Sequence, residues 1–142
     1  MQKVSEKRKA AVIGVFDGVH RGHATLISAL VSQARKRNMA PIAVTFDPLP
    51  ALYFNPHFHF ILSTPEEKIG KLHECGVEEV VSLDFSKTRE ISPAYFIENQ
   101  LLTRNVGFIL VGKTFRFGYK RKGDIETLRN HPGLEVMSMP KE

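Results

Sequence analysis

Short apolar runs alternate with amphipathic segments along this chain. Short apolar runs bounded by turn residues are typical of strands that are buried on both faces. Such runs predict five strands, at 10–15, 41–46, 79–83, 107–112 and 134–137. The segment from His23 to Arg37 has apolar residues at helical spacing, and its predicted buried face consists of Leu26, Ile27, Leu30, Val31 and Ala34.

Start and stop signals predict three further helices. Residues 64–67 have the spacing of a capping box, with proline at the first helical position, and the helix that they open ends near Gly76. Ser92-Pro93 opens a helix that runs to about Arg104, and Asp124 caps a short helix that ends before Pro132. The stretch 47–63 contains three prolines, so we expect it to be irregular.

The order of these elements is strand, helix, strand, helix. This order predicts an α/β fold, with a mostly parallel sheet of about five strands and helices on both faces. Ligands of such sheets bind at the carboxyl ends of the strands. The loops after Val15, Phe46 and Gly112 are therefore the candidates for a site.

Composition limits the classes of protein that fit. The chain has 142 residues, 42% of them hydrophobic, which is typical of one globular domain. We divide it into a charged tail, residues 1–9, and a domain, residues 10–142. The net charge of +5 and the pI near 9.5 favour anionic partners such as nucleotides.

The expected location is the cytoplasm. The N-terminal residues have no apolar signal-peptide core, and no apolar run is long enough to span a membrane. Cys75 is the single cysteine, so the chain cannot form an internal disulfide. We expect Cys75 to be a buried free thiol, since it precedes a glycine at a predicted helix end.

The first loop has glycines at 14, 18 and 22, between a strand and a helix. This pattern is neither the dinucleotide-binding GxGxxG nor a Walker loop. Glycines let the backbone approach a ligand closely, and a helix N-terminus offers N–H groups to phosphate. His20 and His23 would both lie near the first turn of the helix, where they could hold phosphate and stabilise a leaving pyrophosphate.

Other interpretations of the first loop remain open. Asp17 either contacts a ligand or caps the turn. A His-x-x-His pair can bind zinc, but no third ligand occurs at metal-site spacing, so we expect no metal site held by protein side chains.

The loop after Gly112 has five basic residues in the ten positions 113–122, interleaved with three aromatic residues. Such a loop is compatible with single-stranded nucleic acid, because cations follow phosphates while rings stack on bases. A solvated basic loop is the other interpretation. The aromatic residues follow a predicted strand rather than lying along one, which argues against an RNA-recognition sheet.

Three motifs resemble a known family. GVFDGVHRGH at 14–23 resembles the GxFDGxHxGH signature of bacterial FAD synthetases, the FMN adenylyltransferase module of the bifunctional riboflavin kinase/FAD synthetase family. Its HxGH element resembles that of the wider nucleotidyltransferase superfamily. TFDPLP at 45–50 is similar to TFxPHP, with Leu49 in place of histidine. Residues 111–124 are similar to VGxDFxFGxxRxGD, with Lys113 and Thr114 where acidic or amide residues are usual.

The resemblance implies a Rossmann-like fold that transfers AMP from ATP to FMN, with Mg²⁺ on the triphosphate. FMN would be the substrate and FAD the product. It implies catalytic roles for His20 and His23. The implied ATP site consists of Gly14, Phe16, Asp17, Gly18, His20, Gly22 and His23. The implied FMN site consists of Phe46, Pro48, Pro50, Phe54, Thr114, Phe117 and Arg121.

Two features leave other functions open. The family's Ile-Ser-Ser-Thr-x-Ile-Arg motif does not occur before Glu142, and no riboflavin kinase module is present, so we expect no kinase activity. One alternative is a catalytically impaired flavin- or nucleotide-binding remnant, and a less favoured one is a nucleic-acid-binding module. The expected partners are the small molecules ATP and FMN, with no membrane partner.

Overall fold

A computed structural model of the chain describes residues 7–16, 21–47, 50–55, 64–112 and 114–139, without the side chains of residues 21–23 and 51–52. Five strands form one sheet in the order β3-β2-β1-β4-β5, and every neighbouring pair is parallel. The strands are β1 (Lys9–Ile13), β2 (Ala40–Asp47), β3 (Glu79–Asp84), β4 (Val106–Gly112) and β5 (Glu135–Met139). The predicted five-stranded sheet is confirmed, and its strand order is that of a doubly wound fold.

The two faces of the sheet are buried under different helices. Side chains of a strand alternate between faces, so Ala10 and Val12 pack with one hydrophobic cluster while Ala11 and Ile13 pack with the other. The first cluster includes side chains of α1 (Arg21–Lys36) and α3 (Pro65–Glu74). The second includes side chains of 93–104 and of α6 (Ile125–Arg129). The predicted helices on both faces are confirmed.

The predicted capping box at Thr64 and the predicted cap at Asp124 explain where two of these helices begin. Thr64 Oγ1 accepts a hydrogen bond from the Glu67 N–H at 3.1 Å, and the Glu67 carboxylate accepts one from the Thr64 N–H at 2.9 Å. Asp124 and Thr127 form the same reciprocal pair at the start of α6. Local hydrogen bonds therefore fix both helix starts, as their spacing in the sequence predicts.

The segment predicted as one helix over 92–104 changes its hydrogen-bond pattern twice. Ser92 caps α5 (Pro93–Phe96), which continues as a π turn (Ile97–Leu101) and a 3-10 turn (Leu102–Arg104). The N–H of Leu102 donates to the carbonyl of Ile97, five residues earlier. The extent of the predicted helix is correct, but its single α-helical form is wrong.

Two short helices correct the expected pattern. Residues 47–63 are not wholly irregular, because α2 (Pro50–Phe54) forms with proline at its first position, where a missing N–H costs nothing. The helix α4 (Phe85–Thr88) was not predicted, and the Asp84 side chain caps it. Cys75 is free but half-buried rather than buried, since at the end of α3 it packs only against the edge of the first cluster.

None of the helices in the described part of the chain is long and apolar enough to cross a membrane.

Candidate active site

A pocket of about 640 Å³ lies at the carboxyl edge of the sheet. The segments that follow four strands line it: Gly14 and Val15 after β1, α2 after β2, residues 85–89 after β3, and residues 114–121 after β4. The three loops predicted to form a site therefore meet, and the segment after β3 joins them. The general rule for parallel sheets applies equally to that segment, although its sequence has no motif that singles it out.

Most of the residues predicted to face a flavin lie together. Six of the seven line this pocket, namely Phe46, Pro50, Phe54, Thr114, Phe117 and Arg121. The seventh, Pro48, lies outside the described residues, as do Leu49 and Lys113. Residues that are up to 75 positions apart in the sequence thus line one pocket.

The residues predicted for ATP are described less completely. Asp17, Gly18 and His20 lie outside the described residues, and Gly22 and His23 are described as backbone in the first turn of α1. Gly14 lines the pocket, while Phe16 is buried in the core below it.

The contact between Gly14 and Phe16 explains one glycine of the motif. A Cβ built on Gly14 would lie 2.9 Å from Cζ of Phe16, which is too close for any side chain. Phe16 itself has a positive φ of 57° and is 1% exposed. The phenyl ring therefore supports the loop from inside the protein, and glycine is needed so that the backbone can lie against the ring.

One side of the pocket, here called the β2–β3 wall, consists of Phe46, Phe54 and Phe85. Their rings meet edge to face, with centroids 6.2 Å apart for Phe46 and Phe85 and 6.0 Å apart for Phe54 and Phe85. The Arg89 guanidinium lies 5.2 Å from the ring centres of both Tyr53 and Phe54. Phe54 is 65% exposed, so this wall presents an accessible aromatic ring to a ligand.

A second group of rings in the lining, here called the β4 wall, consists of Phe96, Phe115 and Phe117. Phe115 and Phe117 are stacked, with centroids 5.7 Å apart and planes 14° apart, and Phe96 lies 5.1 Å from Phe117. Phe117 is 4% exposed, and its backbone exchanges two hydrogen bonds with Gly123. A Cβ on Gly123 would lie 2.6 Å from Cζ of Phe117, so the ring covers a glycine here too.

The rim of the pocket is basic. Arg89, Arg116, Lys120 and Arg121 line it, whereas no carboxylate occurs in the described lining. Arg89 pairs with Glu90 at 2.9 Å and Arg116 with Asp124 at 3.7 Å. The remaining positive charge favours an anionic ligand.

Local geometry fixes the basic loop of this rim. Lys120 and Arg121 both have left-handed backbone conformations, with φ of 53° and 55°. Such conformations are strained for residues other than glycine and often occur at functional sites.

Hydrogen bonds from the Thr127 N–H and hydroxyl, and secondarily the charge of Arg116, lower the pKa of Asp124. Asp124 is therefore ionised at neutral pH, and it both caps α6 and pairs with Arg116.

The described lining does not suit a magnesium ion held by the protein alone. Magnesium binds carboxylate, phosphate and water oxygens, but this lining presents cations and rings. Among the residues that the structure describes, no group of three or more histidine, cysteine, aspartate or glutamate side chains could hold a metal. The side chains of His20 and His23 are outside that description.

Lys68 was not predicted from the sequence as a residue of the site, and it lies behind the pocket. This lysine of α3 is 5% exposed, and its ammonium donates to the carbonyl of Val15 at 3.1 Å, to Thr45 Oγ1 at 3.0 Å and to the carbonyl of Phe46 at 3.3 Å. One signal was available, because Lys68 precedes the buried Leu72 by four residues and so shares its helix face.

Comparison with known proteins extends these observations. The family model described as FAD synthetase matches residues 2–141. The bifunctional riboflavin kinase/FMN adenylyltransferase of Buchnera aphidicola subsp. Schizaphis graminum (strain Sg) is 34% identical over 146 residues, which cover 96% of this chain and 47% of that protein. The protein of the same name from Escherichia coli (strain K12) is 38% identical over 126 residues, covering 87% and 40%. The chain thus spans less than half the length of either relative.

A solved structure shares the fold. A crystal structure described as a macrolide-efflux protein from Streptococcus pneumoniae superposes with a TM-score of 0.81 and 29% sequence identity. The match covers 95% of this chain and 45% of that one.

Proposed function

We propose, since this chain belongs to the FAD synthetase family, that its pocket binds FMN and ATP and transfers AMP from ATP to FMN. The family resemblance inferred from the three motifs is confirmed. One observation supports the activity most strongly: the six described residues that the motifs assign to the flavin all line a single pocket. The curated relatives carry FMN adenylyltransferase in their names, and this activity is extended here to the shorter chain.

The proposed flavin site lies between the two aromatic walls. A volume of about 640 Å³ is within the range of about 300–1,000 Å³ that is typical of small-molecule pockets. The flat isoalloxazine ring would contact the exposed ring of Phe54 on one side and the stacked rings of Phe115 and Phe117 on the other. The Thr114 hydroxyl can exchange hydrogen bonds with the polar edge of the flavin.

The proposed nucleotide site is the first loop together with the start of α1. Gly14, Gly18 and Gly22 would let the backbone approach ATP, and Phe16 would support the loop from below. Asp17 is assigned to the same nucleotide site. The N-terminus of α1 presents N–H groups that have no partner within the helix, together with the positive end of the helix dipole, and both favour phosphate. Arg121 would contact a phosphate at the opposite rim.

The proposed reaction is an in-line transfer. An oxygen of the FMN phosphate forms a bond to the α-phosphorus of ATP while the bond from that phosphorus to the bridging oxygen breaks, and pyrophosphate leaves. His20 and His23 would donate hydrogen bonds to the triphosphate and stabilise the charge that develops on the leaving group. Magnesium bound to the nucleotide would supply positive charge that offsets the negative charge of the triphosphate. A free thiol at Cys75 and the use of ATP are consistent with a cytoplasmic location.

The direct test is formation of FAD from FMN and magnesium-ATP, measured by chromatography on the purified chain. We expect His23→Ala to lower the rate at least tenfold, about 1.4 kcal/mol of lost transition-state stabilisation, without a change in the circular dichroism spectrum. His73→Ala, which removes an exposed histidine of α3 away from the pocket, is the matched control. Equal rates for His23→Ala and the unaltered chain would contradict the assigned role.

A second candidate is binding without turnover. It is favoured by Thr114, a neutral hydroxyl in the pocket where the family's motif has an acidic or amide residue. Calorimetric titration with FMN and with ATP would then show binding while the chromatographic assay shows no FAD. Binding of single-stranded RNA with a steep salt dependence, and of neither small molecule, would instead support a nucleic-acid module.

A further inference from the structure

We infer that Lys68 is a positioning residue, which holds the nucleotide-side loop and the flavin-side strand end in one arrangement. The inference rests on the proposed function for its ligands, but on the described hydrogen bonds for its geometry. The lysine belongs to α3, contributes nothing to the pocket lining, and reaches the site from behind.

The hydrogen bonds of Lys68 join the ends of two neighbouring parallel strands, β1 and β2, where both reach the pocket. Its ammonium donates to the carbonyl of Val15, which follows β1, and to the carbonyl of Phe46, near the end of β2. Both of these residues line the pocket. A movement of either segment relative to the other would lengthen at least one of these bonds.

Thr45 completes the connection. Its hydroxyl accepts from Lys68 at 3.0 Å and donates to the carbonyl of Val15, also at 3.0 Å. Thr45 is 0% exposed, so water does not compete for these bonds in the described structure. Connected polar groups in a buried setting hold one another in place more firmly than isolated pairs do.

The position of Lys68 in its helix carries two energetic costs. It lies close to the N-terminus of α3, where the helix dipole disfavours a cation, and burial of an ammonium group is costly without hydrogen-bond partners. An exposed lysine such as Lys71 would avoid both costs. The compensating feature in the structure is the set of oxygens at the pocket floor.

The consequence for binding follows from preorganisation. A ligand that contacts the β1 and β2 ends binds more tightly if these two segments are already held in the correct arrangement. Lys68 should therefore affect the affinity for FMN and ATP without touching either. Its charge, directly behind Val15, also adds to the positive potential of the site.

The test compares Lys68→Met with Lys71→Met, which alters an exposed lysine of the same helix. Affinities for FMN and for ATP are measured at a temperature far below the thermal midpoint of each variant, so that all chains are folded. In parallel, amide hydrogen exchange is followed at Gly14, whose N–H donates to the carbonyl of Val44 at 3.0 Å, with amides of β4 as the reference for global unfolding.

We expect Lys68→Met to lower the protection of Gly14 at least tenfold relative to β4 and to weaken FMN or ATP binding at least fivefold. Lys71→Met should change neither quantity. If Lys68→Met does not fold, Thr45→Val, which removes the hydroxyl at nearly constant volume, is measured in its place and is expected to show the same two changes.

Two results would separate the inference from the proposed function. A lower melting temperature with unaltered Gly14 protection and unaltered affinities would overturn the positioning role, because Lys68 would then serve stability alone. If the unaltered chain binds neither FMN nor ATP, the proposed function fails, and the protection of Gly14 alone decides whether Lys68 holds the two segments together.

Discussion

The two aromatic walls of the pocket are built in different ways. In the β2–β3 wall, rings meet edge to face, and Phe54 remains 65% exposed beneath the guanidinium of Arg89. In the β4 wall, Phe117 is 4% exposed, stacks on Phe115, and is fixed by two backbone hydrogen bonds to Gly123. Phe54 in the first wall offers surface to a ligand, whereas Phe117 in the second is part of the hydrophobic core.

This difference indicates how one pocket can combine rigidity with an adaptable surface. A buried ring is held by its neighbours, so its position changes little when a ligand binds. An exposed ring gains burial only when a ligand covers it, so its stabilisation is realised in the complex. Mutation of Phe117 in the β4 wall should therefore affect folding first, and mutation of Phe54 in the β2–β3 wall should affect binding first.

The largest expected effect is the loss of stability in Phe117→Ala. Removing a buried phenyl ring costs about 3–5 kcal/mol when the cavity does not collapse, and Phe117 packs against Phe96 and Phe115 in the core. Urea unfolding followed by circular dichroism measures this loss. A loss below about 1 kcal/mol would show that the β4 wall is not part of the core and would remove the contrast between the walls.

An intermediate effect is expected on binding in Phe54→Ala. An aromatic contact contributes about 0.5–1.5 kcal/mol beyond burial, which corresponds to a change in FMN affinity of roughly twofold to twelvefold. The free energy of unfolding should stay within about 0.5 kcal/mol, since Phe54 is exposed. Quenching of FMN fluorescence reports the affinity, and Tyr95→Ala, at another exposed ring, is the control. Unchanged affinity would exclude the β2–β3 wall from the flavin site.

The smallest effect is expected from two carboxylates that cap helices beside the walls. Ser86 lowers the pKa of Asp84 at α4, and Thr127 lowers that of Asp124 at α6. Because the folded-state pKa is lowered, the ionised carboxylate stabilises the folded protein at pH values above the ordinary pKa of 3.8. This stabilisation is lost as the pH falls through the folded-state pKa.

Asparagine at either position retains a helix cap but removes the charge. We therefore expect Asp84→Asn and Asp124→Asn to lower the melting temperature by less than about 4 °C at pH 7 and to match the unaltered chain in strong acid. Thermal melts across this range measure the difference. The larger change should occur at Asp124, because Leu128 of its helix is fully buried. A difference that persists in strong acid would contradict the assigned role of the charges.

The sequence predicts best those elements that have a continuous apolar run or a regular helical spacing of apolar residues. The strand β1 was expected at 10–15 and occurs at Lys9–Ile13, since a strand covered on both faces is a continuous apolar run. The helices α2 and α4 were missed because they have five and four residues, too few for a period to show. Their formation depends on Pro50 and on the Asp84 cap.

The candidate site was predicted less completely, for reasons of long-range packing. The motifs identified which loops meet, but not that the rings of Phe16 and Phe117 lie against Gly14 and Gly123. Such contacts depend on the folded backbone and have no local signal. Lys68 was not predicted, because lysine is usually exposed even where it shares a helix face with a buried residue such as Leu72.

The π turn at Ile97–Leu101 bears on differences in chain length among related proteins. Phe96 and Leu101 are five residues apart, and the wide turn lets both side chains reach the core. In an α-helix, residues four apart share a face. A relative with one residue fewer, at the exposed Glu98 or Asn99, would retain the same buried pair through an ordinary helix. A one-residue gap in an alignment at this position is thus compatible with an unchanged core.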